Sequence, residues 1–242
     1  MTAKDLPIVE DFRTPSNVML PDDRSNLVGL NSIEQLHEAI NEYRLDKSIP
    51  ENIRIQFATA KNLILYSYYV YRFFPIAKHQ LFVVLEHAIK ECIGEQVLQD
   101  YRKAKNRKRT KNSGGFSMGL KLSLNYLVEH DLIKNEDFRV WQEGKAREAW
   151  ERYKIQVSKK MEEENIQCYE LDENEVDYDG FNYESDYVSV LANILPKVRN
   201  SLAHGSNYLS ASTVHDLEIV TTIINKMFER YCQVTREFSN NE

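Results

Sequence analysis

Apolar residues recur at helical spacing along most of this chain, and no stretch alternates convincingly with period two. Ser32 with Gln35 makes a capping box that predicts a short helix through about Tyr43. Ser48-Ile49-Pro50-Glu51 is a second start signal, with proline where its missing N–H costs nothing. The helix that follows is predicted to bury Ile55, Ala58, Leu63, Tyr66 and Val70, and Pro75 to break or restart it. Residues 76–92 are apolar nearly all round through Leu81-Phe82-Val83-Val84-Leu85, the pattern of a central core helix. Amphipathic helix resumes over 116–130, and 141–161 reads as a charge-rich helix. Ser185-Asp186 caps a helix to about Leu195, where Pro196 kinks it or starts another. Ser212 or Thr213 caps the last helix, whose stripe is Leu217, Val220, Ile224, Met227, Phe228 and Tyr231. The predicted class is all-α, a helical bundle.

Between the periodic segments, composition draws the boundaries. Residues 1–30 mix prolines, acids and isolated apolar residues and read as an N-terminal arm, leaving 31–242 as one helical domain. A loop is expected to carry Arg102, Lys103, Lys105, Arg107, Lys108, Arg109 and Lys111, ending in Ser113-Gly114-Gly115. Residues 162–186 hold eleven acids and no Lys or Arg, which favours a loop or a partly disordered segment. Residues 137–185 are accordingly read as a charged helical and acidic insertion. The basic loop and the acidic segment could clamp onto each other and hide a nucleic-acid site.

With 42% apolar residues the chain can bury a sizeable core, and eight Gly and six Pro disfavour a turn-rich all-β fold. A net charge of −6 argues against non-specific coating of nucleic acid, though not against a local basic site. Cys92, Cys168 and Cys232 are scattered and form no CxxC pair, which points to a reducing compartment rather than a disulfide or zinc framework. No secretory signal opens the chain, and residues 63–89 are interrupted by Arg72, Lys78, His79 and Glu86. A soluble cytoplasmic protein with no membrane partner is expected.

The chemistry concentrates in Arg199-Asn200-Ser201-Leu202-Ala203-His204-Gly205. A permanent cation near a group that titrates around neutrality is what phosphodiester cleavage without a metal requires. Asn200 and His204, four apart, can share a helical face. Arg199 and His204, five apart, converge only across a helix end or a subunit interface. Glu86, inside the most apolar helix, must find a partner or bear a large desolvation cost. Lys90 one turn on is one candidate, and a buried arginine from another helix is the other. The plainer reading is that His204-Gly205 merely ends a helix, with the imidazole favoured by the helix dipole. The other histidines, His37, His79, His87, His130 and His215, read as surface or packing residues, and Tyr66, Tyr68, Tyr69 and Tyr71 as core and interface.

A helix, then Arg-Asn-x-x-x-His-Gly, then a turn and a closing amphipathic helix resembles the HEPN superfamily of higher-eukaryote and prokaryote nucleotide-binding domains. Leu85-Glu86-His87-Ala88-Ile89-Lys90 is similar to the core helix of prokaryotic members, and Gly119 to Ile133 to a second helix of theirs. The likeness covers about 50–135 and 186–235. Tyr208 lies four residues after His204, unlike the His-x-Tyr of one toxin subgroup, and the insertion is no general family feature.

The resemblance implies a metal-independent endoribonuclease of defence or toxin type, using no cofactor. His204 would be the general base or acid, and Arg199 would hold the phosphate. Asn200 would orient the histidine or a phosphate oxygen, and Glu86 would fix the arginine rotamer. The basic run would bind RNA. Since one histidine cannot be both base and acid, a homodimer with a composite site is expected. An antitoxin or regulatory protein is a further expected partner. The alternative is a non-catalytic helical dimer that binds RNA, nucleotide or protein through the same cleft.

Overall fold

The computed structural model describes residues 12–27, 31–107, 117–204 and 212–239. Helix is the dominant structure among them and no strand occurs. The helices are α1 (Asp23–Leu27), α2 (Ile33–Asn41), α3 (Glu51–Tyr66), α4 (Phe73–Ile93), α5 (Glu95–Arg107), α6 (Leu120–Glu129), α7 (Arg139–Glu164), α8 (Tyr187–Ala203) and α9 (Thr213–Ser239). The centre is α4, which packs against α3, α5, α6, α8 and α9. Phe74, Ala77, Leu81, Phe82, Val84, Leu85, Ala88 and Ile89 are all fully buried, as an all-round apolar helix requires. Pro75 does not break this helix. It falls in the first turn, where no intrahelical N–H is lost, so α4 starts at Phe73.

Helix α3 turns a different face inward from the one expected. Ile53, Phe57, Ala60 and Ile64 are buried, whereas Ile55 and Tyr66 are more than half exposed. Both stripes have helical spacing, and only packing against α4 chooses between them. Pro196 likewise leaves α8 continuous from Tyr187 to Ala203 and is itself buried. Asp186 caps that helix by accepting from the Ser189 N–H at 3.2 Å.

The described part of the arm is docked. The Asp22 N–H donates to the Tyr68 carbonyl at 2.9 Å, and the Tyr71 N–H to Asp22 Oδ2 at 3.2 Å. Ser25 and Arg13 add bonds to the carbonyls of Tyr68 and Tyr69. Residues 12–27 therefore staple the turn between α3 and α4. At the start of α9, Lys78 lies 2.7 Å from Asp216, both largely buried, and Thr213 bonds the Phe74 carbonyl. Burial pushes the Asp216 carboxyl up from its ordinary range, against the pull of the Lys78 ammonium.

Past the end of α7 the acidic stretch is a loop with one short 3-10 turn at Glu173–Glu175, and it packs back on α7. Helix α7 runs 26 residues, about 39 Å, to Glu164, where Asn165 takes a left-handed conformation and reverses the chain. The returning segment lays Val176 on Ala149, Tyr153 and Val157, flanked by Trp150, Tyr169 and Phe181. Tyr153 donates to Glu175, and Lys145 pairs with Asp179. Gly144 makes room for this return, because a Cβ there would lie 3.2 Å from Cζ of Tyr183 and closer still to its hydroxyl. Residues 139–186 hold fourteen of the chain's 37 acids and seven of its 31 bases, so the rest of the chain is +1. The negative charge resides in this hairpin. Among the described residues its ion pairs are internal or, through Arg139, to Glu218 of α9, and none reaches the basic residues of α5.

Candidate functional site

Helices α4 and α8 meet at the candidate residues. Glu86, two turns from the end of α4, keeps 14% of its side chain exposed, and Arg199, in the last turn but one of α8, keeps 33%. Arg199 Nη2 donates to Glu86 Oε2 at 3.2 Å, and Lys90 Nζ to Glu86 Oε1 at 3.1 Å. Both partners considered for Glu86 are thus realised, one on each oxygen. A carboxylate on the core helix is tolerated because two cations divide it.

Arg199 Nη1 also donates to Asn200 Oδ1, at 3.4 Å, while Nε is buried with no acceptor among the described residues. Asn200 therefore engages the arginine through its side chain, although successive helical residues do not face each other. Towards His204 it acts only through its backbone carbonyl, which accepts the His204 N–H at 3.1 Å. Among the described residues the Asn200 side chain bonds Arg199 and makes no hydrogen bond to the imidazole.

His204 is the C-cap of α8, with φ −91° and ψ 12°, and it is exposed. It is not packed into the core of its own chain. On a helix the five-residue step from Arg199 turns about 140° and rises about 7.5 Å, so the two side chains leave α8 in different directions. Arg199 turns in to α4 and His204 out to solvent. Val190, Ile194, Lys197, Ser201 and His204 fall within about 80° of one another around α8, and the two aliphatic members are half-exposed. This outward stripe is hidden in the sequence when Pro196 is taken to kink or restart the helix; its 3.5-residue spacing is the available signal.

The described part of the basic run, through Arg107, is helical rather than a loop. Arg102, Lys103, Lys105 and Arg107 belong to α5, which packs on α4 and α6. Lys103 pairs with Asp100 at 2.9 Å and Lys105 with Glu129 at 2.5 Å. Glu95 in the first turn and Lys105 and Arg107 in the last suit the helix dipole, and Leu98 is its buried anchor. Lys108, Arg109 and Lys111 lie outside the described residues, as do Gly205 and Tyr208. The structure brings Glu86, Arg199, Asn200 and Lys90 together. It shows no contact between them and the α5 cations.

Among the described residues no three His, Cys, Asp or Glu side chains converge as a metal site would need. No helix among them is long and apolar enough to cross a membrane. Comparison with known protein families, with characterised proteins and with solved structures yields no match to this chain.

Proposed function

We propose that this chain is a metal-independent endoribonuclease of HEPN type, acting as a homodimer in a defence or toxin setting. The observation that carries the reading is the Glu86 clamp on Arg199 one turn before the exposed His204 at the end of α8. Glu86 and Asn200 occupy at most two of the five guanidinium N–H groups, which leaves donors for a phosphate. The outward stripe from Val190 to His204 would bring two copies of the histidine to one cleft.

In that cleft one His204 takes the proton from a ribose 2′-OH, whose oxygen forms a bond to the adjacent phosphorus. The bond from phosphorus to the 5′-oxygen breaks, and the partner subunit's His204 protonates the leaving oxygen. The products are a 2′,3′-cyclic phosphate and a 5′-OH end. Arg199 stabilises charge on the non-bridging oxygens. DNA lacks the nucleophile and is not a substrate by this route. An antitoxin or regulatory protein would hold the activity in check.

One observation favours a second reading. Arg199 and His204 diverge by about 140° within a chain, and Arg199 is already engaged by a carboxylate. Under that reading the same dimer binds RNA, nucleotide or protein without cutting. The deciding experiment is cleavage of a mixed RNA pool in EDTA by wild type and His204→Ala, with end-group analysis. Cyclic phosphate ends that vanish in the variant support the nuclease. Intact RNA with both proteins, the dimer being present, transfers the case to the binding module.

A further inference from the structure

Three rings nest where α5 meets α6, away from Arg199. Tyr101 stands edge-on to Tyr126, with centroids 5.2 Å apart, and to His130 at 6.2 Å. His130, which ends α6, lies over Tyr126 at 4.1 Å with the planes 34° apart. Tyr126 is buried, Tyr101 half-buried and His130 exposed, so the innermost rings hold an imidazole that offers its outer side to solvent. Lys105 Nζ sits 5.3 Å from the Tyr101 centroid, and Arg102 precedes it by one turn on the same helix. Arg107 is exposed at the end of α5.

We propose that this ring stack and the α5 cations form a subsite for single-stranded RNA. A base stacks on His130, while Arg102, Arg107 and the remaining hydrogens of Lys105 meet the flanking phosphates. An aromatic face beside a row of cations is how sequence-tolerant single-strand binding works, because every base has a π-face and every nucleotide a charge. Glu129 engages Lys105 and screens it, so the two arginines carry most of the phosphate contact. Helix α6 packs against both α5 and α8, so the stack and Arg199 are carried by helices that share one neighbour. The inference rests on RNA being the ligand, as proposed above, but the stack is tested by binding and the nuclease by cleavage.

The test uses the full chain carrying His204→Ala, so that RNA stays intact, and a short single-stranded RNA with one 2-aminopurine. Stacking on His130 quenches the probe, and anisotropy of an end label gives the affinity. Adding His130→Ala should abolish the quench and weaken binding about tenfold, and His130→Phe should restore both. Arg102→Ala should leave the quench in place and lower the salt slope by about one phosphate. Full affinity in a His130→Ala protein that melts like its parent overturns the subsite and leaves RNA as a ligand. So does equal affinity for an RNA with an abasic residue at the probe position. No RNA binding by any variant overturns subsite and nuclease together. His130-dependent binding without cleavage by the wild type supports the subsite and removes only the nuclease.

Discussion

Glu86 is the anion shared by Arg199 and Lys90, and that sharing predicts an asymmetry between its removal and theirs. Two unit charges 3.2 Å apart attract by about 5 kcal/mol at an effective permittivity near 20. Arg199 keeps a third of its side chain in solvent, and burying the carboxylate consumes much of the remainder, leaving a net coupling of about 1–3 kcal/mol. Glu86→Gln strands both cations beside an apolar helix and should cost about 2–3 kcal/mol. Arg199→Met leaves Glu86 its Lys90 partner and should cost less. For a chain of 242 residues the larger loss lowers Tm by about 4–12 °C. Denaturant unfolding of wild type, both single variants and the double variant measures the coupling directly. A coupling within about 0.5 kcal/mol of zero, or a costlier loss from Arg199→Met, would refute the clamp.

The stapled arm has a pH signature. Burial opposes ionisation of Asp22, but the Arg24 guanidinium and the N–H groups of Arg24 and Tyr71 outweigh it and hold the carboxyl below 3.8. A depressed folded-state pKa gives stability that is present above the unfolded value and lost as pH falls through the folded one. Asp22→Asn should therefore cost about 1–3 kcal/mol at pH 7 and progressively less below pH 4 in denaturant melts, and an equal loss at pH 7 and pH 3 would sink the account. On the outer face of α8, Ile194→Asp puts two like charges together in the proposed dimer while leaving a surface position on the monomer. Sedimentation should show association weakened roughly a hundredfold or more with Tm nearly unchanged, whereas an unaltered assembly would show that this stripe is not the interface.

The parts legible in the sequence were those where one physical requirement dominates. Helix α4 was readable because a run apolar on every side has nowhere to go but the centre, and Glu86 was conspicuous there as a charge that had to be answered. Which cation would answer it was not readable, because that depends on how α8 lies on α4. Helix α5 was misread as a loop because its anchor is Leu98 with half-buried Tyr101, too few apolar positions to outweigh the basic run. Its acid-first, base-last charge order was the signal available. In α3 two apolar stripes competed, and spacing alone could not choose between them. The acidic return segment is a loop, as its composition suggests, but its packing on α7 is not legible because Val176, Tyr169 and Phe181 are spread thinly among its acids. Composition averages over such residues, whereas a small core needs only a few of them in register with α7.

The incompleteness of the candidate site and the unpartnered surface of the bundle coincide on one stripe. The turn of α8 that directs Arg199 to Glu86 directs His204 the other way, in line with Val190 and Ile194. A single chain therefore holds its cation against the core and its titratable group on the rim. An association that covers the two aliphatic residues would carry His204 of each copy toward the other. Apolar burial would supply the free energy, and the second imidazole would supply the acid that one chain lacks. Loss of the stripe should then remove assembly and cleavage together, whereas loss of His204 should remove cleavage alone. If Ile194→Asp separates the copies and leaves cleavage intact, the reaction needs only one chain. The divergence of Arg199 and His204 would then have to be resolved by RNA lying across the end of α8, touching both from outside.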